Sequence, residues 1–174
     1  MRNEEILSLL KGGDRRSIGR SARVTAIVSK NPRLFSKLIA GLWSSDPLIR
    51  MRAADAAEKI TRKNPEWLTP HKRSLLGLMT ESLEQELRWH LAVIIPRLRL
   101  TPKEVNAVTS CLDSYLEDRS SIVRTFALQG LCDLAEDYPD LRSEVIERLR
   151  QATRTGTPAM KARSRKLLLR MERK

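Results

Sequence analysis

Residues 46–65, DPLIRMRAADAAEKITRKNP, contain the pattern that decides the fold of this chain. Asp46 is a favourable N-cap because its carboxylate accepts hydrogen bonds from unpaired helix N–H groups. Pro47 suits the first helical position, where its missing N–H has no partner in any case. Apolar residues then recur every three or four positions, which places them on one helix face: Ile49, Ala53, Ala56, Ala57 and Ile60. Pro65 ends the segment, since the residue before a proline is steered out of the α region. The stretch predicts an amphipathic helix with a turn at each end.

The same pattern returns along the chain with a regular period. Prolines open helical stretches at four positions separated by 33, 37 and 37 residues: Pro32, Pro65, Pro102 and Pro139. An independent series pairs an apolar residue with a following cation at steps of 38, 36 and 37 residues: Ile49-Arg50, Leu87-Arg88, Val123-Arg124 and Met160-Lys161. Two series with one shared period predict a two-helix unit that is copied along the chain, as in an α-solenoid.

These features resemble the HEAT-repeat family: a helix–turn–helix unit, a Pro early in the first helix, a turn Asp (Asp46, Asp118), and an apolar–cation pair opening the second helix. The resemblance implies an all-α, right-handed α-α superhelix of about five helix pairs, in a single domain over residues 1–174. We expect a cap unit at 1–31, central repeats at 32–64, 65–101 and 102–138, and a basic repeat at 139–174. Two units depart from the pattern. Pro96 interrupts one second helix, where a kink or early end is expected, and residues 157–171 have no turn Asp.

Composition agrees with this class and excludes several others. Strand patterns are absent, and no apolar run approaches the roughly 20 residues that span a bilayer. The N-terminus has acids where a signal peptide has cations, so we expect a cytoplasmic protein. Cys111 and Cys132 lie on apolar faces, which favours buried free thiols over a disulfide. His71 and His90 lack ligands at metal-binding spacing, and no phosphate loop is present, so we expect no metal, cofactor or small-molecule substrate.

Charge points to the kind of partner. The net charge is +12 and the isoelectric point is about 10.4. Cations concentrate near both ends of the chain, most of all after Pro158. Such a balance favours an acidic protein surface or a nucleic acid as the partner, and says nothing about fold.

Two rows of side chains at equivalent repeat positions are candidates for partner contact. The first is the cation ladder Arg50, Arg88, Arg124 and Lys161. It could follow an extended anionic partner, or each cation could bond a turn acid or carbonyl of its own or a neighbouring repeat, as the HEAT resemblance implies. The second row contains Arg52, His90 and Arg163, with Phe126 interrupting it. It is expected to point more to solvent and so to contact a partner.

An aromatic residue and a C-terminal cluster complete the candidate site. Trp89 lies between Arg88 and His90, and it either stacks on a nucleic-acid base or packs between repeats. The cluster places like charges three and four residues apart on one helix, which costs helix stability: Arg163, Arg165, Lys166 and Arg170. It suggests an acidic or phosphate-rich partner, or a solvated end of the chain.

These observations favour a non-enzymatic HEAT-repeat binding or scaffold protein that recognises an acidic partner through its basic surface. Direct nucleic-acid binding is the alternative. A weaker resemblance links the chain to the bacterial DNA alkylation repair glycosylases, which are HEAT-like and have a basic concave face. That resemblance would imply a catalytic carboxylate near aromatic side chains, and Asp55 or Glu86 near Trp89 would be the nearest analogues.

Overall fold

A computed structural model describes residues 5–13 and 19–173 of the chain, and these residues form an all-α fold without a strand. Ten α-helices occur in this described part, in five successive pairs: α1 (Glu5–Ser8) and α2 (Ser21–Lys30), α3 (Phe35–Ala40) and α4 (Pro47–Thr61), α5 (Lys72–Glu81) and α6 (Gln85–Ile94), α7 (Pro102–Leu116) and α8 (Ser121–Asp137), and α9 (Arg142–Thr155) and α10 (Pro158–Glu172). The predicted all-α class is confirmed. None of these helices is both long and apolar enough to cross a membrane.

Side-chain caps fix the starts of four long helices, α4, α7, α8 and α10, as the sequence predicts for α4. The carboxylate of Asp46 accepts a hydrogen bond from the Leu48 N–H at 2.8 Å, with Pro47 in the first turn. At α7 the cap is reciprocal. Thr101 accepts from the Glu104 N–H, and the Glu104 carboxylate accepts from the Thr101 N–H at 2.7 Å. This capping box satisfies two donors that the helix itself leaves unpaired.

Prolines shorten several helices relative to the prediction. The stretch that Pro65 opens is predicted to be helical from that residue, but the segment Pro65–His71 is a 3-10 helix and α5 begins only at Lys72. Pro70 lies inside this segment, lacks an N–H to donate, and disfavours α geometry in the residue before it. Pro96 acts as predicted, because α6 ends at Ile94 and a short 3-10 turn, Ile95–Arg97, follows.

Two glycines follow the first helix but do not end it. The apolar positions favour a helix over residues 3–11 that Gly12 and Gly13 stop, but α1 already ends at Ser8, so this expectation is wrong at the C-terminal end. Gly12 and Gly13 adopt positive φ angles of 74° and 85°, a conformation that costs glycine little and other residues more. Asp14, the expected cap of the next helix, lies outside the described residues.

The chain forms two compact units, residues 1–75 and 76–174. In the first unit α2, α3 and α4 pack around fully buried side chains that include Leu38, Leu42, Ala53 and Ala57. In the second unit α8 packs against α6, α7, α9 and α10. The division into five repeats within one domain stays a prediction.

Two large apolar side chains at helix ends are exposed. Trp43 is 47% exposed and Leu83 is 83% exposed. Each follows a helix end, at Ala40 for α3 and Glu81 for α5, so neither continues the apolar face of its helix. Cys111 and Cys132 are both free thiols, as predicted. Burial raises the pKa of both.

Candidate interaction surface

Arg88 of the cation ladder bonds within the protein. Its Nε donates to the Ser82 carbonyl at 2.8 Å, six residues earlier in the chain. Its Nη1 donates to Asp118 at 2.6 Å, in the turn of the next repeat. The guanidinium also lies over the ring of Tyr115, 5.2 Å from the centroid. These contacts match the internal alternative for the ladder.

The pKa of Asp118 reports the strength of this arrangement. Burial alone would raise this pKa. Hydrogen bonds from the Ser120 N–H and from Arg88, together with the positive charge of Arg88, outweigh burial, and the pKa of Asp118 is lowered.

In the first unit Arg50 makes the equivalent bond to its own turn, from Nη1 to the Ser44 carbonyl at 2.5 Å.

Arg52 does not point to solvent, and that expectation is wrong. Its side chain is only 1% exposed. Nη1 donates to the carbonyls of Leu10 and Gly12, at 2.7 and 2.6 Å, so it ties the end of the first helix to α4. A Cβ on Gly19 would lie 2.7 Å from the Arg52 guanidinium carbon, which shows how closely the N-terminal segment covers it. Arg52 is a structural residue and is unavailable to a partner.

His90 is likewise buried rather than solvent-facing, with 1% of its surface exposed. Its Nδ1 lies 2.6 Å from the Glu86 carbonyl oxygen, and its ring stacks on Trp89 with centroids 3.4 Å apart. The physical reason is that the imidazole is held by its own helix, through the Glu86 carbonyl, and by the neighbouring Trp89 ring.

Trp89 and Arg163 converge on Phe126, the residue that was expected to interrupt the row containing Arg163. The Trp89 and Phe126 ring centroids are 5.0 Å apart. The Arg163 guanidinium lies 5.4 Å from the Phe126 centroid, within the range of a cation–π contact. Its Nη1 also donates to the Gln129 side-chain oxygen at 3.0 Å. We refer to Trp89, Phe126 and Arg163, which cross α6, α8 and α10, as the aromatic–cation row. All three side chains are partly exposed.

The C-terminal cluster contains a cation that is paired within the chain and two cations that are not. Arg170 donates to Asp133 at 2.6 Å and lies 3.2 Å from Glu136, so much of its charge is neutralised. Burial raises the pKa of Asp133, although Arg170 and Gln129 both act to lower it. Arg165 and Lys166 are exposed, and neither makes a hydrogen bond or ion pair with the described residues of the chain.

The two carboxylates considered for glycosylase chemistry have different surroundings. Asp55, in the first unit, accepts hydrogen bonds from Ser21 Oγ at 2.5 Å and from Lys59 Nζ at 2.7 Å. Glu86 contacts the Gln85 amide at 3.3 Å and lies one helical turn before His90. Asp55 therefore helps to hold α2 on α4, and neither carboxylate has a contact that marks it as an acid or base.

Sequence reasoning missed Phe126 and Gln129 as parts of this surface. Both occupy α8 between α6 and α10, so each can touch the residue at the matching place in a neighbouring repeat. The sequence contains the signal, since Phe126, His90 and Arg163 share one register of the repeat. Phe126 looks like an interruption only when the row is defined by charge.

Comparison with known proteins agrees with this architecture. Helix pairs with internal cation–carboxylate contacts define a helical-repeat protein. A family model described as a HEAT repeat domain matches residues 13–171, so the chain belongs to the HEAT-repeat family. The crystal structure of an engineered protein is similar in fold, with a TM-score of 0.63 at 15% identity, over 98% of this chain and 79% of that one. No curated protein matches the sequence. Membership of this family supports a scaffold or protein-binding role.

Proposed function

We propose that this protein is a non-enzymatic HEAT-repeat scaffold that binds an acidic partner protein on the second unit. The contact surface combines the aromatic–cation row with Arg165 and Lys166. The observation that carries the proposal is the convergence of Trp89, Phe126 and Arg163 across three successive second helices. Aromatic and Arg side chains are the types enriched in the energetically important centres of protein interfaces.

The cations without a counterion make this surface positively charged. Arg170 is largely neutralised by Asp133 and Glu136, whereas Arg165 and Lys166 lie on the same helix without a counterion in the described chain. Exposed cations of this kind steer an acidic partner and set the rate of encounter. The overall charge of +12 adds a favourable long-range field.

The test uses a fluorescent polyglutamate peptide as the acidic probe, with binding followed by fluorescence anisotropy. The variant carries Arg165→Glu and Lys166→Glu together. We expect its affinity for the peptide to fall about tenfold, a free-energy loss of about 1.4 kcal/mol. The far-ultraviolet circular dichroism spectrum should not change, because both side chains are exposed.

The matched control carries Arg33→Glu and Lys63→Glu, two exposed cations of the first unit. This variant has the same total charge, so a surface-specific site predicts a change of less than about twofold in peptide affinity, given screening beyond roughly 8–10 Å at physiological salt. An equal loss of peptide affinity in the two variants would show that general charge attraction accounts for the binding. That result would refute the assignment of this surface.

Direct nucleic-acid binding remains the alternative, since partly exposed Trp89 and Phe126 rings beside cations also suit base stacking. Duplex and single-stranded DNA titrated at two salt concentrations separate the two. Phosphate neutralisation gives a log–log slope of about −0.9 per contact on duplex. Steep salt dependence with DNA binding tighter than peptide binding would favour the alternative over an acidic protein.

A further inference from the structure

One turn alone supplies a carboxylate to the cation ladder, because the equivalent turn positions are Ser44, Ser82, Asp118 and Thr155. Arg88 bonds Asp118, the turn residue of the following repeat. Arg124 occupies the position of Arg88 one repeat later, and the residue that corresponds to Asp118 in the following turn is Thr155. A threonine hydroxyl carries no charge, and Thr155 Oγ1 already donates to the Gln151 carbonyl at 3.1 Å. The ladder therefore provides Arg124 with no carboxylate.

Arg124 also lacks the second bond that Arg88 makes. Arg88 Nε donates to the Ser82 carbonyl, whereas Arg124 Nε is buried from solvent and has no hydrogen-bond partner among the described residues. A buried donor that has lost its water without gaining a partner costs about 1–3 kcal/mol, and more when the group is charged. An acceptor that reaches this guanidinium would recover that cost.

A surface cavity of about 220 Å³ adjoins Arg124 in the second unit. Thr155, Gln151 and Arg148 of α9 form part of its wall. Its apolar lining comes from α7, α8, α9 and α10: Leu116, Leu128, Ala152 and Met160. The volume is below the roughly 300–1,000 Å³ of pockets that enclose whole ligands. It suits a charged head on a short carbon chain.

The charges around the cavity select the kind of head group. Arg148 is already held by both oxygens of Asp113 at 2.7 Å and by Glu144 at 2.9 Å, whereas Arg124, the other cation of the lining, has no counterion among the described residues. Glu117 also lines the cavity and would repel a doubly charged anion about twice as strongly as a singly charged one. A singly charged, planar carboxylate matches one guanidinium, as the Arg88–Asp118 pair demonstrates in this same chain.

We propose that this cavity is a carboxylate-binding site in which Arg124 binds the head group and the apolar wall holds its carbon chain. The site does not include the aromatic–cation row, so its test is independent of the test of the proposed function. The carboxylate could belong to a glutamate or aspartate side chain of a partner protein or to a free small carboxylate, and the two sources share the chemistry.

The experiment titrates the full chain with propionate, which has the atoms of a glutamate side chain, and follows chemical shifts by NMR. Arg124→Gln and Thr155→Asp should each weaken propionate binding about tenfold, the first by removing the cation and the second by supplying an internal carboxylate. Thr155→Asn is the matched control, with the shape of the aspartate variant and no charge. It should bind propionate within about twofold of the natural chain.

The outcomes separate clearly. Unchanged propionate binding in Thr155→Asp, or no binding to the natural chain, would overturn the proposal even if Arg124→Gln failed to fold. Inorganic phosphate binding as tightly as propionate would overturn the assignment to carboxylate. A blocked peptide with one glutamate that binds more tightly than propionate and glutarate supports a partner side chain as the ligand, and the reverse order supports a free carboxylate.

Discussion

Gly130 offers the most direct test of how closely the helices of the second unit pack. It lies in α8, and a Cβ built on it would stand 2.1 Å from the Ala92 carbonyl oxygen of α6 and 3.2 Å from Leu112 Cδ2 of α7. Carbon–oxygen contacts between packed backbones lie near 3.3–3.6 Å. The substitution Gly130→Ala therefore requires α6 and α8 to separate by roughly 1 Å, and the obstacle is backbone rather than a flexible side chain.

Two effects of opposite sign act in this variant. Replacing a helical glycine with alanine gains up to about 1 kcal/mol of helix propensity. Overpacking a close helix contact costs about 1–3 kcal/mol and sometimes more, and a contact against a carbonyl oxygen belongs at the upper end. We expect a net destabilisation of about 2 kcal/mol. For a chain of this size that corresponds to a fall in melting temperature of roughly 4–8 °C.

Gly77 is the matched control, because it is also a helical glycine of the second unit. A Cβ at Gly77 meets no atom within 4 Å. Gly77→Ala should therefore raise the free energy of unfolding by about 0.5–1 kcal/mol. Urea denaturation followed by circular dichroism measures both variants. A Gly130→Ala protein as stable as the natural chain would show that α6 and α8 do not approach as closely as described.

Three further substitutions test other parts of the fold. Ala57→Asp places an unpaired carboxylate at a fully buried position of α4 and should destabilise the first unit by about 3 kcal/mol or more in urea denaturation. Arg52→Met deprives the Leu10 and Gly12 carbonyls of their donor and should cost about 1–3 kcal/mol in the same assay, whereas Arg23→Met, at an exposed position, should cost little. The pKa of Asp118 is lowered in the folded state, so its stabilisation is present above the unfolded pKa of about 3.9 and is lost as pH falls through the folded value. The stability difference between the natural chain and Asp118→Asn should accordingly shrink between neutral pH and pH values below that range, and a constant difference would contradict the assignment.

Local signals were sufficient for the presence of most helices and for the buried apolar face of α4. Asp46 with Pro47 predicts the start of α4, and the alanines at 53 and 57 are fully buried as their spacing requires. These features depend on residues a few positions apart, which a single sequence displays. The cytoplasmic location depends on no such contact and stays a prediction.

The site was harder because its decisive contacts join residues that are distant in sequence. Arg52 looks like a solvent-facing cation on α4, but its partners are carbonyls some 40 residues earlier. No local pattern announces a guanidinium that bonds the backbone of a distant turn. His90 illustrates the same limit, because its burial depends on what covers its helix. Charge alone marked the whole C-terminal cluster and did not separate the exposed Arg165 and Lys166 from Arg170, which pairs with Asp133.

A repeated fold makes departures from its own pattern informative about function. Equivalent side chains meet equivalent neighbours in each repeat, so the internal contacts of Arg88 should recur at Arg124 unless the neighbour changes. Thr155 stands at the place of Asp118, so Arg124 has no carboxylate there while the cation and the space beside it are present. This difference between Arg88 and Arg124 is the basis of the proposed carboxylate site. The same reasoning predicts that introducing an acid with Thr155→Asp gives Arg124 the structural contact that Arg88 has. The free energy of unfolding should then rise while carboxylate binding is lost. The acidic charge at the C-terminal end of α9 should offset part of that rise. A variant that loses carboxylate binding and is strongly destabilised would contradict this account, because Arg124 would not have accepted the new carboxylate as a ladder partner.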